Sequence, residues 1–185
     1  MKKLFAMIVM LSFTVAQDSG MSLYGGLNLT RLACDNGCDE GSALTSFAIG
    51  AQKNMGSFVI GAGISGRGMK QEEDGGITYS QNYMYLDIHA LKPFPVGPGA
   101  LFAGLDLGMN LSAKKKVEGC PAGVEGCGES DIEDVQMDYG LMFGYSFPIN
   151  EKMSVYASYY HGLAEIVKDW EPTHTGIGLG LGYGL

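Results

Sequence analysis

The chain has 185 residues, 46% of them hydrophobic and 17% charged, with 29 glycines, ten tyrosines and eight phenylalanines. That length suffices for one domain with a sizeable core, and abundant glycine and aromatics with little charge favour short-turned strands over helices. A formal net charge of −8 excludes nucleic acid as a main partner, because binding phosphates needs clustered lysine and arginine.

Residues 1–16 read as a cleaved secretory signal. Lys2 and Lys3 precede an apolar run from Leu4 to Val15, and Thr14-Val15-Ala16 offers small residues for cleavage before Gln17. The run is shorter than the roughly 20 residues of a spanning helix. No later stretch is long enough either, so residues 17–185 can enter a membrane only as a closed barrel.

Successive side chains of a strand point to opposite faces, and the rest of the chain divides on that rule. The first strand, about Ser22 to Thr30, sets Leu23, Leu27 and Leu29 against Tyr24, Gly26, Asn28 and Thr30. A polar, Cys-bearing loop runs from Arg31 to Gly41. The second strand, about Leu44 to Lys53, and the third, about Ser57 to Gly68, are joined by the tight turn Asn54-Met55-Gly56. Lys70 to Gly76 is a charged loop. The fourth strand, about Tyr79 to Lys92, alternates Met84, Leu86, Ile88 and Ala90 with Tyr83, Tyr85, Asp87 and His89. Pro93 to Gly99 is expected to be a turn, since proline cannot donate to a ladder.

The fifth strand, about Ala100 to Ser112, sets Leu101, Ala103, Leu105, Leu107, Met109 and Leu111 against Phe102, Gly104, Asp106, Gly108, Asn110 and Ser112. The longest loop, Ala113 to Glu133, follows. The sixth strand, about Val135 to Phe147, and the seventh, about Met153 to Ala164, flank the turn Pro148 to Glu151. The closing strand, Thr175 to Leu185, has glycine at every second position opposite Ile177, Leu179, Leu181, Tyr183 and Leu185. Its glycine face should leave room for bulky tyrosine and arginine side chains from across the barrel.

Eight strands with connections alternating long and short fit an all-β, eight-stranded antiparallel up-and-down transmembrane β-barrel, its short turns on one side and longer loops on the other. The polarity sets the sense. Asp87, Asp106 and Asp138 all oppose the Leu/Ile/Met face, so the apolar face is expected to meet lipid; a soluble barrel has the reverse arrangement. A two-sheet soluble sandwich is the rival, and it predicts more even loops.

Several segments carry a family resemblance: Gly26-Leu-Asn-Leu-Thr30, Tyr85-Leu-Asp-Ile88, Phe102-Ala-Gly-Leu-Asp-Leu-Gly108, Tyr139-Gly-Leu-Met-Phe-Gly-Tyr145, Tyr159-Tyr-His-Gly-Leu163 and the glycine-rich end. With them the chain resembles the PorT-like family of small outer-membrane barrels of Gram-negative bacteria. It departs at Leu185, where such barrels usually end in an aromatic residue. The resemblance implies a barrel of the size of OmpX or the OmpA barrel and no single activity. It implies outer-membrane lipid and the barrel-assembly machinery as partners.

Arg67 is the only arginine in the expected strands and shares the inward parity of Asp87, His89, Asp106 and Asp138. A small barrel is filled by side chains, so these charges should pair into a lumen network. Cys34, Cys38, Cys120 and Cys127 fall in two local pairs. Disulfides are the default in an exported chain, and neither spacing matches the C-x2-C of a zinc half-site. Two loop staples, Cys34–Cys38 and Cys120–Cys127, are expected, with cross-loop pairing the rival. Lys114, Lys115 and Lys116 could meet lipopolysaccharide phosphates or form a solvated loop base. The acidic residues that follow lack calcium-loop spacing, and no cofactor motif is present.

The expected function is a small outer-membrane barrel with a side-chain-filled lumen and stapled extracellular loops, in a structural or surface-interaction role, with a ligand or protein at the loops. A narrow small-solute channel is one alternative. A lipid-modifying enzyme is the other, with Asp87, His89 and Ser158 supplying triad residue types but no nucleophile motif. His161 and His174 should lie near the outer rim.

Overall fold

The computed structural model describes residues 20–33, 41–73, 75–120, 127–167 and 172–185. The expected signal segment, and Cys34 and Cys38 with their expected disulfide, lie outside the described residues. Among the described residues nine strands form: β1 (Met21–Ala33), β2 (Ser42–Asn54), β3 (Val59–Glu72), β4 (Thr78–Val96), β5 (Gly99–Glu118), β6 (Gly128–Asp131), β7 (Asp138–Pro148), β8 (Met153–Gly162) and β9 (Thr173–Gly184). Eight of them close a ring, and β6 is a short outrider paired only with the far end of β5. Every pairing in the ring is antiparallel, and each ring strand pairs with the next one along the chain, β5 passing over β6 to β7, up to the seam. There β1 meets β9 in register from Ser22↔Gly184 to Ala33↔Thr173, which leaves the ring no free edge.

The barrel is inside-out. Leu27, Ile49, Leu105 and Leu179 are each more than half exposed on the outer face, while Arg67, Asp87, Asp106 and Asp138 are buried within. Such a surface suits lipid, and with each of the eight strands paired on both sides the fold is that of a transmembrane β-barrel. Tyr139, Tyr159 and Tyr183 face outward near strand ends, as an interfacial girdle does, whereas Tyr24 and Tyr83 turn inward.

Three differences from the sequence reading have physical causes. First, the stretch Pro93–Val96 is strand rather than turn, with Pro93↔Phe102 and Pro95↔Ala100 paired, so the turn shrinks to Gly97-Pro98. The β3–β4 ladder stops at Leu91, so Lys92–Val96 is an edge where proline's missing N–H costs no hydrogen bond. Second, Lys70–Glu72 and Lys114–Glu118 are strand, not loop. β5 has 20 residues, about 65 Å of chain at roughly 3.3 Å per residue, where a membrane needs 9–11. The β3–β4–β5 wall therefore stands well above the rest of the barrel on the loop side. Third, the β4–β5 register shifts between Met84↔Ser112 and Tyr85↔Asn110. The extra residue reverses the parity of β5, so that Ala113 and Val117 face inward and Lys114 and Lys116 outward.

Candidate functional site

The lumen side chains follow from strand parity. Arg67 comes from β3, Asp87 and His89 from β4, Asp106 from β5, Asp138 from β7 and Tyr160 from β8, all at inward positions. The structure brings four of the five expected network residues together. Arg67 Nη2 donates to Asp87 at 2.7 Å and to Asp106 at 2.5 Å, while Nη1 donates to Asp138 at 2.5 Å. Its guanidinium also lies 4.2 Å from the Tyr160 ring centroid and 5.1 Å from that of Tyr85. Planarity lets arginine serve three carboxylates and two ring faces at once, which an ammonium group cannot do.

His89 does not join. It packs 5.5 Å from Tyr24, and its Nε2 has no hydrogen-bond partner. With Asp87 tied to Arg67, Asp87, His89 and Ser158 do not assemble a nucleophile–base–acid relay.

Two members of the network were not singled out for it in the sequence. His174, expected at the rim, is fully buried; its Nδ1 lies 2.9 Å from Asp138, and its ring stands edge-on to Tyr83 and Tyr85. Tyr160 donates to the other oxygen of Asp138 at 2.7 Å. The inward parity of both positions was readable. What the sequence hid was the depth of His174, because the preceding loop, in its described residues 163–167, folds over the barrel. His161 faces outward and stacks on Tyr159.

That loop forms a cap. Ile166 is fully buried and, with Leu32, Met69, Tyr83, Tyr85 and Ala113, makes an apolar cluster on which Ile132, Val135 and Val167 pack. Val135 bridges Val167, and Gln136 N–H donates to the Ile166 carbonyl at 2.8 Å. The tall β3–β5 wall supplies the platform. On the loop side, then, the lumen is closed first by the Arg67 layer and then by an apolar plug.

On the short-turn side lies a cavity of about 270 Å3. Arg67, Asp87 and Asp106 line its inner end, and Val59, Pro93 and Ser154 its outer end. It exists because lumen aromatics lie along the wall instead of across it. A Cβ on Gly61 would overlap His89, one on Gly144 would overlap Phe102, and one on Gly180 would overlap Tyr156. Glycine thus leaves a shelf for a ring carried by a neighbouring strand. On the closing strand Gly180 does this for Tyr156 of the adjacent β8, while Gly178 and Gly182 lie against Ser158 and Ser154 of the same strand, nearer neighbours than the expected residues across the barrel.

On the loop side, Cys120 and Cys127 are joined by a disulfide. The lysine triplet sits on β5. Lys114 pairs with Glu129 of β6 and Lys116 with Glu118, and Lys115 lies 5.5 Å from the Tyr79 ring centroid. The Lys114 ammonium holds Glu129 below the usual carboxylate range, first by its hydrogen bond and then by its charge.

No protein-family model matches the chain, and no curated protein does. Solved structures match by fold. Neisserial surface protein A superposes with a TM-score of 0.63 at 12% identity, covering 90% of this chain and 98% of that one. Ail of Yersinia pestis, solved with the heparin analogue sucrose octasulfate, gives 0.56 at 16% identity, covering 91% and 100%. At these identities the likeness is one of fold: a small eight-stranded barrel with its apolar face outward.

Proposed function

We propose that this chain is an outer-membrane protein of a Gram-negative bacterium, a closed barrel that holds a loop-end surface in a structural or surface-interaction role. The supporting observation is the double closure of the lumen. Three carboxylates converge on Arg67 across the bore, and the Ile166 cap packs above them. A narrow channel would need both to part. The short turns face the periplasm and the tall β3–β5 wall faces outward, an asymmetry that barrels of this type share. A PorT-like origin remains part of this reading, carried by the short segments quoted above.

The loop end narrows the kind of partner. Its described residues include Glu72, Glu73, Glu118, Glu129, Asp131, Glu133, Asp134 and Glu165 against Arg31, Lys70 and the lysine triplet, two of whose members are already paired. This excess of acid disfavours a polyanion such as the ligand in the solved Ail complex and favours a basic protein surface.

Planar-bilayer recording with the purified chain should give no reproducible open states; steady unitary conductance would overturn the closed-lumen reading. Cell fractionation with heat-modifiable gel mobility tests the location. A chain free in the periplasm, running alike boiled and unboiled, would defeat it.

A further inference from the structure

We propose that the short-turn rim is a binding collar for anionic glycerophospholipid, made by one outward lysine on each short hairpin. This rests on the membrane reading above and goes beyond it by assigning a lipid headgroup class and the residues that take it. The three lysines are Lys53 at the end of β2, Lys92 on β4 and Lys152 beside β8. Strand parity puts Lys53 in line with Ile49, and Lys92 in line with Ile88 and Phe94, on the lipid face. The ammonium of Lys92 stands 5.5 Å from the Phe94 ring centroid and that of Lys152 5.7 Å from the Tyr183 ring centroid. An interfacial ring lies at headgroup depth, so the ammonium beside it is at phosphate depth, its stem along the apolar band.

Two further observations point to a lipid occupant. The tips of the same hairpins carry Met55, Val96 and Ile149, each about half exposed. Such side chains are out of place in water and in place among glycerol backbones and headgroups. The charges are also unanswered by the protein. Among the described residues no carboxylate pairs with Lys53, Lys92 or Lys152, and Glu151 is the one acidic side chain in the three turns, 53–59, 92–100 and 148–154. At the other end, Lys114 and Lys116 are both paired with glutamates. Lys70 is paired there too and Lys115 lies over the Tyr79 ring, whereas at the turn end three lysines without a carboxylate partner stand at three points around the barrel.

The test uses the full chain folded into phosphatidylcholine vesicles with a trace of spin-labelled lipid, phosphatidylglycerol or phosphatidylcholine. Electron paramagnetic resonance reads the fraction immobilised at the barrel. Phosphatidylglycerol should be preferred about fivefold at the lysine sites, the weight of one lysine beside an anionic headgroup. The preference should fall in high salt, vanish in K53Q/K92Q/K152Q, and survive in K114Q/K115Q/K116Q. Equal immobilisation of the two lipids overturns the collar while leaving the barrel reading intact. So does a preference lost only in the loop-side triple variant, which would move the phosphate contact to those lysines. A chain that immobilises no lipid of either kind overturns the membrane reading together with the collar.

Discussion

Replacing Arg67 with methionine tests whether the lumen is held by charge pairing. Methionine keeps an unbranched apolar stem but ends short of the guanidinium and removes the one cation that serves Asp87, Asp106 and Asp138 at 2.7, 2.5 and 2.5 Å. Removing one partner from a buried pair costs about 3–5 kcal/mol, chiefly because the remaining charge is stranded. Here three carboxylates would be stranded together, so the upper part of that range applies, about 4–5 kcal/mol. At a urea dependence of about 2 kcal/mol per molar, the unfolding midpoint should fall by about 2 M. The assay is urea unfolding in lipid vesicles, followed by gel mobility without boiling and by circular dichroism. The decisive arm is R67M/D87N/D106N/D138N. It removes the network whole and leaves at position 138 an amide whose oxygen accepts from Tyr160 and whose NH2 donates to His174 Nδ1, so it should recover most of the loss. A shift under about 0.5 M in R67M, or a quadruple variant as unstable as R67M, would refute the reasoning.

Three further outcomes follow from single contacts. Gly61→Ala forces a Cβ against the His89 imidazole and should cost about 1–3 kcal/mol; H89A should relieve much of it, so a double-mutant cycle by urea unfolding should show coupling above 0.5 kcal/mol. His174→Phe fills the same space without the 2.9 Å bond to Asp138 and should cost about 1.5–3 kcal/mol, the weight of a hydrogen bond to a charged group, read from the same titration. The pairing of β6 with β5 should weaken in acid. Glu129 is held below the usual carboxylate range by Lys114, so the pair stabilises the folded form above that range and the contribution is lost as pH falls through the depressed value. The protection of the Gly128–Asp131 amides, measured against the unstructured-chain exchange rate at the same pH, should therefore fall in acid, and in K114Q it should be low at all pH values.

The parity of Leu101 to Leu111 against Phe102 to Ser112 was enough to place the apolar face outward, because a buried apolar face of that length would overfill a narrow barrel. The network was legible for the same reason: one arginine and three aspartates of inward parity had to find each other. Three things were not legible. A one-residue bulge at Leu111 leaves no mark in composition, yet it decides where Ala113 and Val117 point. The strand character of Pro93 and Pro95 depends on β3 ending opposite Leu91, a fact about the neighbour and not about the prolines. The cap needs Val135 to meet Val167 across 32 positions of chain. Its signal was present as isolated apolar residues, Ile132, Val135, Ile166 and Val167, inside acidic loops. Such residues in a loop that should be solvated have to be buried somewhere.

The cap and the charged layer are one mechanical unit. Asp138 is the first residue of β7 and follows directly from the cap segment 132–137, while His174, the second residue of β9, packs with Tyr83 and Tyr85 of the cluster in which Ile166 is buried. Their mutual bond at 2.9 Å fixes both strand starts, and Asp138 is also held by Arg67 and Tyr160. Lifting the cap would pull on His174 and Asp138 together and so on the guanidinium that Asp87 and Asp106 share. The apolar plug in turn keeps water from the carboxylates, which strengthens each pair below it. A partner that binds the acidic loops can therefore rearrange residues 132–137 or 163–167 only by working against the lumen network. The closed barrel thus sets the rigidity of the surface it presents, and a chain with its network removed should show that first as faster exchange in the cap, before any strand of the barrel loosens.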